Sequence, residues 1–125
     1  MSKSSDNLIL IVDDDPLHRE MLTKVLSNKG YSVTATEEVM EALLEIASKN
    51  IDLIISDIEM PTVTGFQLKK FLTRKKISIP VVFLSSHDGM GIQLMGEELG
   101  AVAFLSKPVD SVDLLETVGK ILAGT

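Results

Sequence analysis

Cysteine is absent from this chain of 125 residues. That excludes disulfides, thiolate metal sites and thiol nucleophiles, and it fits a reducing compartment such as the cytoplasm. Aromatic residues make up only 4%, so aliphatic side chains must fill the core. Long apolar runs are missing too. The first run, Leu8 to Val12, follows a polar Met1-Ser-Lys-Ser-Ser-Asp-Asn start and is too short for a signal-peptide core or a membrane span. Basic residues are outnumbered, with 12 Lys and Arg against 18 Asp and Glu for a formal net charge of -6. An acidic surface argues against direct nucleic-acid binding. What is present, 45% hydrophobic and 24% charged residues, describes a globular chain long enough for one domain around one core.

Short apolar runs alternate with helical patterns along the whole chain. Leu8 to Val12 does not alternate with polar residues, which predicts a strand buried on both faces. Asp15-Pro16 offers an N-cap and a first helical residue. The helix it opens is expected to carry Leu17, Met21, Leu22, Val25 and Leu26 on one face and to stop at Gly30. Tyr31 to Ala35 reads as a second strand, and Thr36 as the cap of a helix with Val39, Leu43 and Ile46 inward. Ile51 to Ser56 is a third strand. Pro61 and Gly65 break the pattern before a helix with Leu68, Phe71 and Leu72, ending in Arg74-Lys75-Lys76, whose cations suit a helix C-terminus. Pro80 to Leu84 predicts a fourth strand. The glycines at 89, 91 and 96 predict a weak fourth helix, each costing about 1 kcal/mol against alanine. Ala101 to Ser106 is a fifth strand, and Asp110 caps a last helix with Leu114, Leu115, Val118, Ile121 and Leu122 inward. Such alternation with short loops implies an α/β fold, a parallel sheet with helices on both faces.

Polar residues gather where the apolar runs stop: Asp13-Asp14-Asp15, Asp57, Ser85-Ser86 and Lys107-Pro108. Parallel strands put these on one edge of the sheet, the edge where ligands bind in open α/β folds. Three carboxylates, Asp13, Asp14 and Asp57, would repel one another unless a cation or a proton offsets their charge. Oxygen donors with no His or Cys expected nearby favour a hard ion, Mg2+ first and Mn2+ as a substitute. A carboxylate nucleophile, a divalent cation, a lysine and a hydroxyl are the parts that phosphoryl transfer needs.

The ordered set Ile11-Val12-Asp13-Asp14-Asp15-Pro16, Asp57-x-x-Met60-Pro61-x-x-x-Gly65, Ser85 and Lys107-Pro108 resembles the receiver domain of two-component response regulators, the CheY-like family. The resemblance covers about residues 7–123. It implies a flavodoxin-like (βα)5 fold with strand order 2-1-3-4-5, in a single receiver domain over residues 1–125 that carries no output domain. By the same resemblance Asp57 is the phosphoacceptor. Asp14, Asp57 and the backbone carbonyl of Glu59 hold Mg2+, with Asp13 acting directly or through a metal-bound water, and Lys107, aimed by a cis Lys107-Pro108 peptide bond, pairs with the phosphoryl group. Ser85 and Phe104 form the switch, while Glu59 and His87 tune dephosphorylation. Partners implied are a sensor histidine kinase or phosphotransfer protein, and a downstream protein that reads the face of the fourth helix, fifth strand and fifth helix. The chain would act as a monomer or a phosphorylation-dependent dimer, without nucleic acid or membrane, catalysing only its own phosphorylation and slow dephosphorylation.

Three positions depart from the family's usual pattern. Thr64 stands where an acidic or small polar residue commonly precedes the glycine, Phe104 where tyrosine is frequent, and Ser85 where threonine is commoner. Two other readings compete. One is a receiver fold that works by contact without phosphorylation. The other is a haloacid-dehalogenase-type phosphatase with Asp13-x-Asp15 as its first motif, against which stand Leu17 and the commitment of Asp15 to a helix cap.

Overall fold

The computed structural model describes residues 7–59, 64–86 and 90–123. Five strands and five helices alternate as β1 (Leu8–Val12), α1 (Pro16–Asn28), β2 (Ser32–Thr36), α2 (Val39–Ser48), β3 (Leu53–Asp57), α3 (Gly65–Arg74), β4 (Val81–Ser85), α4 (Met90–Glu98), β5 (Ala103–Ser106) and α5 (Ser111–Ala123). All strand pairs are parallel and the sheet runs β2-β1-β3-β4-β5, the order expected for a flavodoxin-like fold.

The period of two along each strand divides the core into two layers. Leu10, Val12, Ile54, Val81 and Phe83 face α2 and α3, where Val39, Ala42, Leu68 and Leu72 meet them. Ile9, Ile11, Leu53, Ile55, Val82 and Leu84 face α1 and α5, against Leu22, Leu26, Leu114 and Val118. Each fully buried aliphatic side chain contributes about 1.5–3 kcal/mol, and strands apolar on both faces supply them to both layers at once.

Several boundaries differ from the sequence-based expectations. Thr36 is not a cap. It closes β2, buried, and its hydroxyl donates to the Ile11 carbonyl at 2.9 Å. Helix α2 starts from Glu38, and the Glu41 side chain accepts the Glu37 amide at 3.0 Å. Leu17 is 77% exposed, because the inward row of α1 begins one residue later and runs His18, Leu22, Leu26. Strand β5 is shorter than expected, beginning at Ala103. Helix α4 does form, and Gly96 has a packing reason to be there: a Cβ on it would come within 3.2 Å of the Phe104 ring and 3.3 Å of Phe83. Thr64, the departure before Gly65, is the N-cap of α3 in a reciprocal capping box with Gln67.

Candidate functional site

The C-terminal ends of β1, β3, β4 and β5 meet at one edge, tied by backbone bonds from Ile58 to the Leu84 carbonyl (3.0 Å) and from Lys107 to the Ser85 carbonyl (2.8 Å). Asp57 is the last residue of β3 rather than the first beyond it, and is 1% exposed. The strand therefore delivers its carboxylate to a fixed place. One oxygen, Oδ1, accepts the Glu59 amide at 2.8 Å, and the other, Oδ2, accepts Lys107 Nζ at 2.7 Å. The Lys107-Pro108 bond is cis.

Asp13, Asp14 and Asp57 each turn a carboxylate oxygen into one cluster whose members lie within 4.8 Å of one another. Lys107 Nζ is 3.7 Å from Asp13 Oδ1 as well as paired with Asp57. Three carboxylates thus face one ammonium, and an all-oxygen donor set with negative charge left over suits a hard divalent cation. The titration directions agree. Burial pushes the Asp57 carboxyl up, and the nearby Asp13 charge adds to this, while Lys107 and the Glu59 amide only partly counter it. Burial would also raise Asp13, but the His18 bond, the Asp15 amide and Lys107 together bring it below the usual carboxylate range. For Lys107, burial is outweighed by its bond to Asp57 and the charges of Asp13 and Asp57, so its ammonium is held above the ordinary lysine value. Asp57 is the carboxylate with most to gain from a further cation.

Asp15 does spend its side chain on α1, accepting the amides of Leu17 (3.1 Å) and His18 (3.5 Å). That removes it from the cluster and counts against the dehalogenase-type reading. Ser85 is buried at the end of β4, and its Oγ donates to Glu59 Oε2 at 3.1 Å. The other Glu59 oxygen accepts both the Ser86 amide (3.1 Å) and its hydroxyl (2.8 Å). Phe104 packs edge-on against Phe83, centroids 6.3 Å apart, beside a cavity of about 120 Å³ between α4 and β5 lined by Gln93, Glu97 and Val102. His87 lies outside the described residues, as do Met60 and Pro61.

The expectation of no histidine near the acids is corrected by the structure. His18 is buried, and its Nδ1 meets Asp13 Oδ2. Arg19 Nη1 donates to the Asp13 carbonyl at 2.7 Å. The signal for His18 was its spacing, i, i+4 and i+8 with Leu22 and Leu26, which puts a polar ring in a core slot one turn from the acids. The reach of the Glu59 side chain to Ser85 and Ser86, a sequence separation above 25, has no local signature.

The family model described as response regulator receiver domain matches residues 9–119. Protein PilH of Pseudomonas aeruginosa is 35% identical over 118 residues, which cover 93% of this chain and 98% of PilH. The transcriptional regulatory protein GlrR of Escherichia coli is 32% identical over 91% of this chain, which corresponds to only 26% of GlrR. The structure of Vibrio cholerae chemotaxis protein CheY4 superposes with a TM-score of 0.85 at 30% identity, covering 92% of this chain and 98% of that one.

Proposed function

The chain belongs to the response regulator receiver family, and from that premise we propose that it accepts a phosphoryl group on Asp57 from the phosphohistidine of a sensor kinase or phosphotransfer protein. The observation that carries this reading is the Asp57 carboxylate itself, buried at a strand end between Lys107 and the acidic pair Asp13 and Asp14. A carboxylate oxygen of Asp57 attacks phosphorus, the new O–P bond forms as the N–P bond of the donor breaks, and the imidazole leaves with a proton from water. Asp13, Asp14, Asp57 and the Glu59 carbonyl would hold Mg2+, which when bound neutralises the phosphoryl oxygens. Lys107, already 2.7 Å from Asp57, redirects its ammonium hydrogen bond from the carboxylate to a phosphoryl oxygen.

The phosphoryl group adds charge and acceptor oxygens next to the Ser85 hydroxyl. Ser85 then exchanges Glu59 for phosphate, and Phe104 shifts beside α4 and β5, which changes the face of α4, β5 and α5 offered to a downstream protein. Glu59 and His87 tune how long the acyl phosphate lasts. Residues 7–123 act as one receiver unit in the cytoplasm, as a monomer or a phosphorylation-dependent dimer. No helix among the described residues is long and apolar enough to cross a membrane. The test is incubation with acetyl phosphate or beryllofluoride with and without Mg2+, read by intact mass and by amide NMR. Mg2+-dependent modification with shifts on β4, α4 and β5 is expected. No modification and no shift would favour a contact-only receiver.

A further inference from the structure

His18 is a polar ring in an aliphatic slot. It is 8% exposed, on the inward row of α1 with the fully buried Leu22 and Leu26. Its Nε2 is buried without a hydrogen-bond partner, a cost that an aliphatic side chain there would not carry. What the imidazole adds is its Nδ1 bond to Asp13 Oδ2. Ionised Asp13 only accepts, so the shared proton belongs to Nδ1. The chain places the ring by simple means. Asp15 caps the helix, Pro16 starts it, and His18 sits one turn in, where helical side chains lean back toward the N-terminus and so toward Asp13.

The other Asp13 oxygen is also committed in direction. Oδ1 accepts the Asp15 amide at 3.0 Å and lies on the side of Lys107. Asp13 is thus held at both ends, Oδ2 by His18 and Oδ1 by the Asp15 amide, and Oδ1 is the oxygen 3.7 Å from the ammonium that also pairs with Asp57. Cations differ in what they ask of such a group. Mg2+ takes six ligands in a tight octahedron, keeps several waters and uses one oxygen of each carboxylate. Ca2+ takes six to eight and commonly binds a carboxylate through both oxygens.

We propose that His18 is a positioning residue that makes the acidic site prefer Mg2+ over Ca2+, by holding Asp13 Oδ2 so that Asp13 cannot bind a cation through both oxygens. The inference rests on the reading that Asp13 and Asp14 hold the cation. It is tested by titrating Mg2+ and Ca2+ separately into wild type, His18→Leu and His18→Asn at matched ionic strength, with heat as the readout. Leucine removes the donor and keeps the apolar volume, and asparagine keeps an N–H where Nδ1 stands. The ratio of the Ca2+ to the Mg2+ dissociation constant is expected to fall roughly tenfold in His18→Leu, the lower end of what outer partners of metal ligands contribute, and to stay near the wild-type ratio in His18→Asn. An unchanged ratio in His18→Leu, or the same loss in both variants, would overturn the proposal. Should His18→Leu not fold, long-range ¹⁵N–¹H correlation on wild type decides: an Nδ1–H tautomer supports the proposal and an Nε2–H tautomer overturns it. A wild type that binds neither cation overturns the site reading itself, which separates that failure from this one.

Discussion

Gly65 is the residue whose replacement tests the packing behind Asp57 most simply. It is the first residue of α3 and is pressed onto the end of β3. A Cβ added there would lie 2.7 Å from the Asp57 carbonyl oxygen, 2.9 Å from Ser56 Oγ and 3.2 Å from Ile58 Cα. None of these atoms yields cheaply, since two belong to the backbone and the Ser56 hydroxyl is itself buried and bonded to the Asp57 carbonyl at 3.1 Å. Forcing a methyl into such a contact costs about 1–3 kcal/mol. The gain in helix propensity is at most about 1 kcal/mol in a helix interior and less at a first residue. Gly65→Ala should therefore be destabilised by about 1–2 kcal/mol, which for a unit of this size lowers Tm by about 3–8 °C. The same push moves the strand end, so beryllofluoride affinity should fall as well. Gly119→Ala on α5 is the control. Nothing lies within 4 Å of its Cβ, and it should gain up to about 1 kcal/mol. Urea and thermal unfolding of both variants measure the difference. A Gly65→Ala protein as stable as wild type would show that the end of β3 yields to a methyl at no cost.

Other outcomes follow from the charge arrangement. Native Asp57 has a raised pKa, so the native state holds that proton more tightly than the unfolded chain, and the carboxylate form lowers stability at pH above both values. Without divalent cation, Asp57→Asn should then be more stable than wild type at neutral pH. The advantage should shrink as pH falls through the native Asp57 value, and should also shrink when Mg2+ is added at neutral pH; a constant difference in pH-dependent melts would contradict this. Lys107→Met leaves Asp57 and Asp13 without their ammonium and should cost about 1–3 kcal/mol, partly restored by Mg2+ in the same unfolding assay. Glu59→Gln weakens the hold on Ser85 and Ser86, and the decay rate of the phosphorylated protein, followed by mass, should change; an unchanged rate would remove Glu59 from the tuning role.

Much of this was legible in the chain because strands apolar on both faces announce themselves, and their abrupt polar endings mark the sheet edge. Asp13, Asp14, Asp57 and Lys107 are brought together because each ends or follows a strand, so sequence position and place in space coincide. Where a side chain's partner is set by tertiary packing, the sequence said less. Thr36 reads as a cap by residue type, yet its hydroxyl is consumed by the neighbouring strand at Ile11. Leu17 reads as core by hydropathy, yet the phase of α1 is fixed by Asp15 and Pro16, and the inward slot goes to His18. Glu59 reads as a loop acid, while its side chain bridges to the end of β4. Glycine spacing pointed to a weak α4, but Gly96 is small because two phenyl rings occupy the space beside it. For Thr36, Glu59 and Gly96 a long-range contact outweighed the local preference, while for Leu17 the helix start just before it set the phase.

The proposed function requires that Asp57, and neither acid of the Asp13-Asp14 pair, carries the phosphoryl group. An aspartyl phosphate is an acyl phosphate, and borohydride reduces it to homoserine. The protein should be incubated with acetyl phosphate and Mg2+, reduced with borohydride and mapped by peptide mass. Homoserine is expected at position 57 alone, dependent on Mg2+ and absent from Asp57→Asn. Homoserine at position 13 or 14, or its persistence in Asp57→Asn, would contradict it.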